Sequence, residues 1–385
     1  MPGKRQMKIA IVGLLHHPIA EPFAGGMESH TWWLAKKLIE KGHDVTLFAS
    51  GDSDRSLGLH PCIERAFASH PKAQTVVGRQ SCNMRAYAQA IDRICEGDFD
   101  IVHNNALHPF LLLSAADLPI PMLTVLHTPV YKELAAAVQY ANARNDSGKL
   151  GTVAVSNSLA EAWRPFINAN VVYNGIDVDH WPYAPEAPAN TALWYGRIVP
   201  EKAPHLAIQA ALLADYSINI AGPIVNQAYF DEYVLPLIES DRVSYLGHLS
   251  QAAIKQALSQ ASVFVNTPTW EEPYGIVYAE SLASGTPVAT FDSGAAAEII
   301  TEQCGVVLPK KTVSALAEGI KTAANCSRSQ CRKRAESFCH IDSMIGGYER
   351  LYLNLIAKQK RQARLNQYDT RAVLPDSVEM MGIAS

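Results

Sequence analysis

The chain has 385 residues, more than a single hydrophobic core readily organises, so two domains are expected. Hydrophobic residues make up 48% and charged residues 18%, which excludes an intrinsically disordered chain. A formal net charge of -4 gives no basis for a nucleic-acid partner, and no apolar run approaches the roughly 20 residues that span a bilayer.

The N-terminus, MPGKRQMKIAIVG, is basic and then apolar, as a signal peptide would be, but no small-residue cleavage site follows. It reads as a buried first strand, and a cytoplasmic location is expected. Short apolar runs at 8–13, 44–50, 100–103, 122–127, 152–156 and 171–174 lack strict alternation. That is the pattern of strands covered on both faces. Between the first two, Met27, Thr31, Leu34 and Leu38 share one helical face, and Gly42 marks the stop. Strand, glycine-containing loop, helix and strand make a right-handed parallel crossover. Asp52–Ser53–Asp54, after the second run, reads as a solvated turn rather than a metal-binding Asp-x-Asp element.

A proline- and alanine-containing stretch at 179–191 is the best domain boundary, and a hinge candidate for closure. The alternation then restarts with runs at 193–196, 217–222, 243–247, 263–267, 288–291 and 305–308. Two doubly wound α/β domains in series are predicted, over 1–182 and 183–345, with ligands beyond the carboxyl ends of their strands. Seven cysteines form no Cys-x-x-Cys pair, and Cys326, Cys331, Cys339 and His340 match no zinc spacing. The charges between them read as a solvated helix face. A helix over 346–366 is apolar at its start, through Tyr348, Leu351 and Leu355, and basic at its end. It reads as a helix packing back across the domains; the sharper alternative is peripheral contact with anionic lipid. Residues 367–385 read as a loosely ordered tail.

Chemistry concentrates at the predicted strand ends. Gly25 and Gly26 open the first helix, where bare backbone amides and the helix dipole suit an anion. No dinucleotide fingerprint or phosphate-binding loop accompanies them. Arg197 and Lys202 follow the run 193–196 and suit a diphosphate; the bland alternative is a pair of solvated cations beside Glu201. In EPYGIVYAE, Glu272 sits in a loop and Glu280 inside the helix that follows. Between them the amides of Tyr274, Gly275 and Ile276 lie at the helix start. Carboxylates for hydroxyls, with cations and glycines for phosphates, together describe a nucleotide sugar.

With GGMESH, LHTP, VSNS, NGID, GRIVPEK and EPYGIVYAE in this order, the chain resembles the retaining glycosyltransferases of family 4 over nearly its whole length. The resemblance implies the GT-B fold, two Rossmann-like parallel-sheet domains facing a central cleft. It also implies transfer of a hexose from a nucleoside diphosphate sugar, UDP-glucose being favoured, with retention at the anomeric carbon and without a metal or other cofactor. It assigns Arg197 and Lys202 to the donor diphosphate, Glu272 to sugar hydroxyls, Glu280 to the ribose, and Gly25 and Gly26 to the loop over the phosphates. His127 corresponds to a family histidine near the reacting carbon. Tyr274 stands where the family often has phenylalanine. His16 and His17 face either the acceptor or solvent, and the acceptor is a small molecule, a lipid-linked sugar or a glycan. Two rival readings share the fold: a sugar-nucleotide 2-epimerase, which needs no acceptor, and a non-catalytic scaffold.

Overall fold

The structure, a computed structural model, describes residues 6–69, 76–145 and 148–372. Most of the expected tail, 373–385, lies outside the described residues. Two all-parallel sheets organise the chain. The first contains β1 (Lys8–Val12), β2 (Asp44–Ser50), β3 (Leu59–Ile63), β4 (Ile101–Asn104), β5 (Met122–Leu126), β6 (Leu150–Ala154) and β7 (Asn170–Val171), ordered β3-β2-β1-β4-β5-β6-β7. The second contains β8 (Thr191–Tyr195), β9 (Ser217–Ala221), β10 (Val243–Tyr245), β11 (Val263–Asn266), β12 (Val288–Phe291) and β13 (Gly305–Leu308), ordered β10-β9-β8-β11-β12-β13. In both sheets the order reverses beside the first strand, between β1 and β4 and again between β8 and β11. That reversal opens a crevice at the carboxyl ends, which is where such sheets take ligands.

Helices cover both faces. In the first half they are α1 (Gly26–Glu40), α2 (Val76–Glu96), α3 (Pro109–Ser114), α4 (Lys132–Ala143) and α5 (Asn157–Trp163). In the second they are α6 (Pro204–Leu213), α7 (Gln227–Tyr229), α8 (Leu235–Ile238), α9 (Gln251–Gln260), α10 (Ile276–Ala283), α11 (Ala296–Ile299), α12 (Val313–Ala323), α13 (Arg328–Phe338) and α14 (Ile341–Ala372). The strands are apolar throughout because both faces are covered: every residue of β4, β5, β11 and β12 is buried. β3, absent from the sequence reading, is an edge strand containing Pro61. An edge position tolerates a missing amide, and the same proline disguises the strand in the sequence.

Two expectations about the C-terminal third are corrected. The arginines of α13 do not form a solvated face. Arg328 donates to the carbonyls of Ala184, Ala261, Ser259 and Ser284, and Arg332 to those of Trp181 and Ala283. These six guanidinium hydrogen bonds satisfy carbonyls that helix and strand ends leave open, so these charges fasten the inter-sheet connection to the second domain. The closing helix also begins earlier than 346, at Ile341, and continues to Ala372, into the stretch expected as tail. It returns to the first domain, where the Ile176 amide donates to the Cys339 carbonyl (2.9 Å) and the Ile341 amide to the Ile176 carbonyl (2.8 Å). Tyr348, Tyr352, Leu355 and Ile356 are buried there, each contributing roughly 1.5 to 3 kcal/mol. Among the described residues no helix is long and apolar enough to cross a membrane.

Candidate active site

The two crevices open into one cleft of about 330 Å³ between the domains. Gly25, Gly26, His127, Arg197, Lys202, Glu272, Tyr274, Gly275, Ile276 and Glu280, all singled out from the sequence, line it; His16 and His17 do not. Residues from four separate strand ends thus converge on one space.

On the second domain's side, β8 runs out at Tyr195 and delivers Arg197 and Lys202. Lys202 does not pair with Glu201. Its ammonium reaches the carboxylate of Glu272, 70 positions away, and lies 5.1 Å from the centre of the Trp270 ring. Trp270 Nε1 donates to the same Glu272 oxygen at 3.1 Å. The loop carrying Glu272 is pinned from behind: the Ala295 amide donates to the Glu272 carbonyl at 3.0 Å, and Gly294 packs against that carbonyl with φ +54°. A Cβ at 294 would stand 1.9 Å from the Glu272 oxygen, so no other residue fits. Gly275, at φ +78°, turns the chain into α10, and a Cβ there would strike the Tyr278 ring at 2.4 Å.

Glu280 lies inside α10, buried, and accepts a hydrogen bond from the Tyr195 hydroxyl. Burial raises its pKa to about 7, against the opposing effects of Tyr195 and the charge of Lys255. The glutamate stands out in the sequence and the tyrosine does not, its one signal being its place at the end of β8.

The first domain's side is built differently. α1 begins at Gly26, and a Cβ on that residue would lie 3.3 Å from Ile276 Cγ2. The glycine loop of one domain therefore nearly touches the helix start of the other. Arg197 is exposed, and its charge is felt across the gap by Glu28, His16 and His17. Burial is the main cause of the raised pKa of Glu28 and the lowered values of both histidines. His127, at the end of β5, is 7% exposed. Burial holds its pKa well below the usual histidine value, and the neighbouring His30 and His103 add to this. Its Nε2 lies 3.0 Å from Asn105 Oδ1. Asn174 and Thr128 line the cleft, and their Oδ1 and Oγ1 atoms are buried without a hydrogen-bond partner among the described residues. Asn174 opens NGID; Asn105 belongs to no motif read from the sequence.

Contacts across the cleft involve VSNS. Ser156 Oγ donates to the Pro273 carbonyl at 2.6 Å, beside Glu272. Glu298 of the second domain accepts from the Asn157 and Ser158 amides at 2.9 and 2.7 Å and from the Tyr173 hydroxyl at 2.6 Å. The domains are thereby held close around the loop that carries Glu272. Among the described residues, no group of three or more His, Cys, Asp or Glu side chains is placed to hold a metal ion.

Comparison with known proteins agrees with this geometry. The model of glycosyltransferase family 4 matches residues 24–180, and that of the group 1 glycosyl transferases matches residues 176–338. The chain is 24% identical to the glycogen synthase of Mycobacterium tuberculosis, over 86% of this chain and 89% of that one. It is 27% identical to the phosphatidyl-myo-inositol mannosyltransferase of Mycolicibacterium smegmatis, over 79% and 82%. Among solved structures, sucrose-phosphate synthase from Thermosynechococcus elongatus shares the fold with a TM-score of 0.73 at 18% identity, covering 92% of this chain and 100% of that one. Anabaena HepE, solved with UDP and glucose, shares it with a TM-score of 0.69 at 19% identity, covering 91% and 100%.

Proposed function

Because the chain belongs to the family 4 glycosyltransferases, with the GT-B fold, we propose that its cleft binds a nucleoside diphosphate hexose and transfers the hexose with retention. The observation that carries this reading is the convergence of Lys202–Glu272, Tyr195–Glu280, Arg197 and the Gly25–Gly26 helix start on one cleft. UDP-glucose is the favoured donor; HepE, which shares the fold, was solved with UDP and glucose.

In this reading Arg197 and Lys202 meet the diphosphate, assisted by the amides of the α1 and α10 starts. Without ligand, Lys202 is held by Glu272. A donor would draw the ammonium toward phosphate and leave the carboxylate to accept sugar hydroxyls. Glu280 receives the ribose diol. The bond from the anomeric carbon to the diphosphate oxygen breaks with its electron pair passing to the diphosphate. The acceptor oxygen attacks from the same face, and a departing phosphate oxygen takes its proton. Stabilising the leaving charge by one preorganised donor is worth roughly 3 to 4 kcal/mol. Cationic side chains do this without a metal ion or other cofactor. The acceptor is a small hydroxylated molecule, a lipid-linked sugar or a glycan, met in the cytoplasm. The exposed basic end of α14, with Lys358, Lys360, Arg361 and Arg364, is the surface that would approach an anionic membrane.

The test is calorimetric titration of the purified chain, without acceptor, against UDP, GDP, ADP and their hexose conjugates. Selective binding of one nucleotide by wild type, lost in Arg197→Ala/Lys202→Ala, supports the reading. Failure of all of them to bind at millimolar concentration overturns it.

A further inference from the structure

Behind the cleft lies a buried polar network that the donor reading leaves unused. It joins four elements at Asn105, one residue past β4. Thr31, in the second turn of α1, has a single hydroxyl proton, which goes to the Met27 carbonyl at 2.9 Å. Thr31 Oγ1 can therefore only accept from Asn105 Nδ2, at 3.3 Å. This orients the amide and turns Asn105 Oδ1 toward two imidazoles: His103 Nε2 at 2.9 Å and His127 Nε2 at 3.0 Å. An amide oxygen accepts and never donates, so each ring must carry its proton on Nε2. His103 Nδ1 then accepts from the Tyr352 hydroxyl of α14, at 2.6 Å. His127 Nδ1 is left without a hydrogen-bond partner among the described residues, on a ring that lines the cleft.

We propose that Asn105 is a positioning residue that holds His127 as the Nε2–H tautomer, presenting Nδ1 as a neutral acceptor for a hydroxyl of the bound sugar. This rests on reading the cleft as a glycosyl-donor site. The surroundings keep the ring uncharged. His30 of α1 stands 4.7 Å from it, edge to face, with neither ring nitrogen hydrogen-bonded among the described residues. Behind these rings, Tyr348 of α14 stands 6.4 Å from His30 and 4.9 Å from His103 of β4, between ring centres. The charged groups that line the same cleft are Lys202, Arg197, Glu272 and Glu280. Burial lowers the pKa of His30 to about 3 and that of His103 to about 4, so no neighbouring imidazole supplies a charge near neutral pH. A neutral ring whose proton is already committed can accept but not donate. It selects a ligand atom that carries hydrogen.

The experiment reads the tautomer directly. The full-length chain is labelled with 15N-histidine, and two-bond proton–nitrogen correlation spectra are recorded at pH 7.5, with His127 assigned by its loss in His127→Gln. Wild type is expected to show His127 protonated at Nε2. Asn105→Leu is expected to shift it toward Nδ1–H and to weaken nucleotide-sugar binding about tenfold while leaving the bare nucleotide unaffected. Asn105→Asp keeps an acceptor in place and is expected to retain the Nε2–H form, with its carboxylate raising the pH at which the ring titrates. His127 protonated at Nδ1 in wild type overturns the proposal, as does an unchanged tautomer in Asn105→Leu. If Asn105→Leu does not fold, the Asn105→Asp titration decides: no upward shift overturns it. The spectra need no ligand, so the outcome stands apart from whether the donor reading holds.

Discussion

The two rims of the cleft are made from opposite materials. The second domain contributes formal charges held in pairs or left poised, namely Lys202 against Glu272, Glu280 under Tyr195, and Arg197 in the open. The first domain contributes groups that burial keeps neutral, His30, His103 and His127, with Asn105, Thr31 and Asn174 among them. A charged rim suits the invariant part of a nucleotide sugar, whose diphosphate is a fixed double anion. A neutral, shape-defined rim suits the hexose and acceptor, which are recognised through hydroxyls. The difference also locates where low dielectric strengthens each interaction: the charges sit opposite a wall that carries almost no competing charge.

That contrast can be broken most sharply at Lys202. Lys202→Ala removes the cation and leaves Glu272 without its partner. A hundred- to thousandfold loss of kcat/KM in donor turnover is expected, of order 3 to 4 kcal/mol. A loss below tenfold would move the weight of the site elsewhere.

Glu280 tests whether a charge on the second rim carries a cost. Its folded pKa, about 7, stands above the ordinary value of 4.5. A raised carboxyl stabilises the folded chain fully below pH 4.5 and loses that contribution as pH rises through 7. The change amounts to about 3 kcal/mol. Urea midpoints of wild type and Glu280→Gln should therefore converge at low pH and separate in favour of the variant at pH 8. Parallel curves would assign the pH dependence to another group.

Gly294→Ala attacks the backing of the same rim. With φ +54° and no room for a Cβ, it should cost about 1 to 3 kcal/mol and lower Tm by several degrees. Donor affinity should fall with it, because Glu272 is what must move. On the neutral side the smallest effect is expected from Tyr348→Phe. The Tyr348 hydroxyl is buried without a partner, so its removal should leave Tm unchanged or raise it slightly. Tyr352→Phe, which deprives His103 of its donor, should instead cost about 1 kcal/mol.

What could be read from sequence follows the same division. Strands covered on both faces announce themselves, and β12 and β13 lie where their apolar runs lie. Glu272, Glu280, Arg197 and Lys202 were legible because charges beside strand ends and turns are conspicuous. Their pairing was not, since Lys202 and Glu272 are brought together only by the β8–β11 neighbourhood. Asn105 was invisible for the opposite reason: an asparagine after a strand looks like any turn residue, and its role exists only once α1, β4, β5 and α14 meet. The α13 arginines misled because a helix rich in cations normally faces water, and here backbone carbonyls took the place of solvent.

The last helix has a further consequence, for the order in which the molecule can be made. Tyr348 and Tyr352 of α14 complete the core of the first domain, and Tyr352 anchors the network behind His127. These residues leave the ribosome after the whole second domain has emerged. The domain begun first is thus finished last, and a nascent chain stopped short of residue 341 carries an assembled charged rim facing a neutral one that lacks its support.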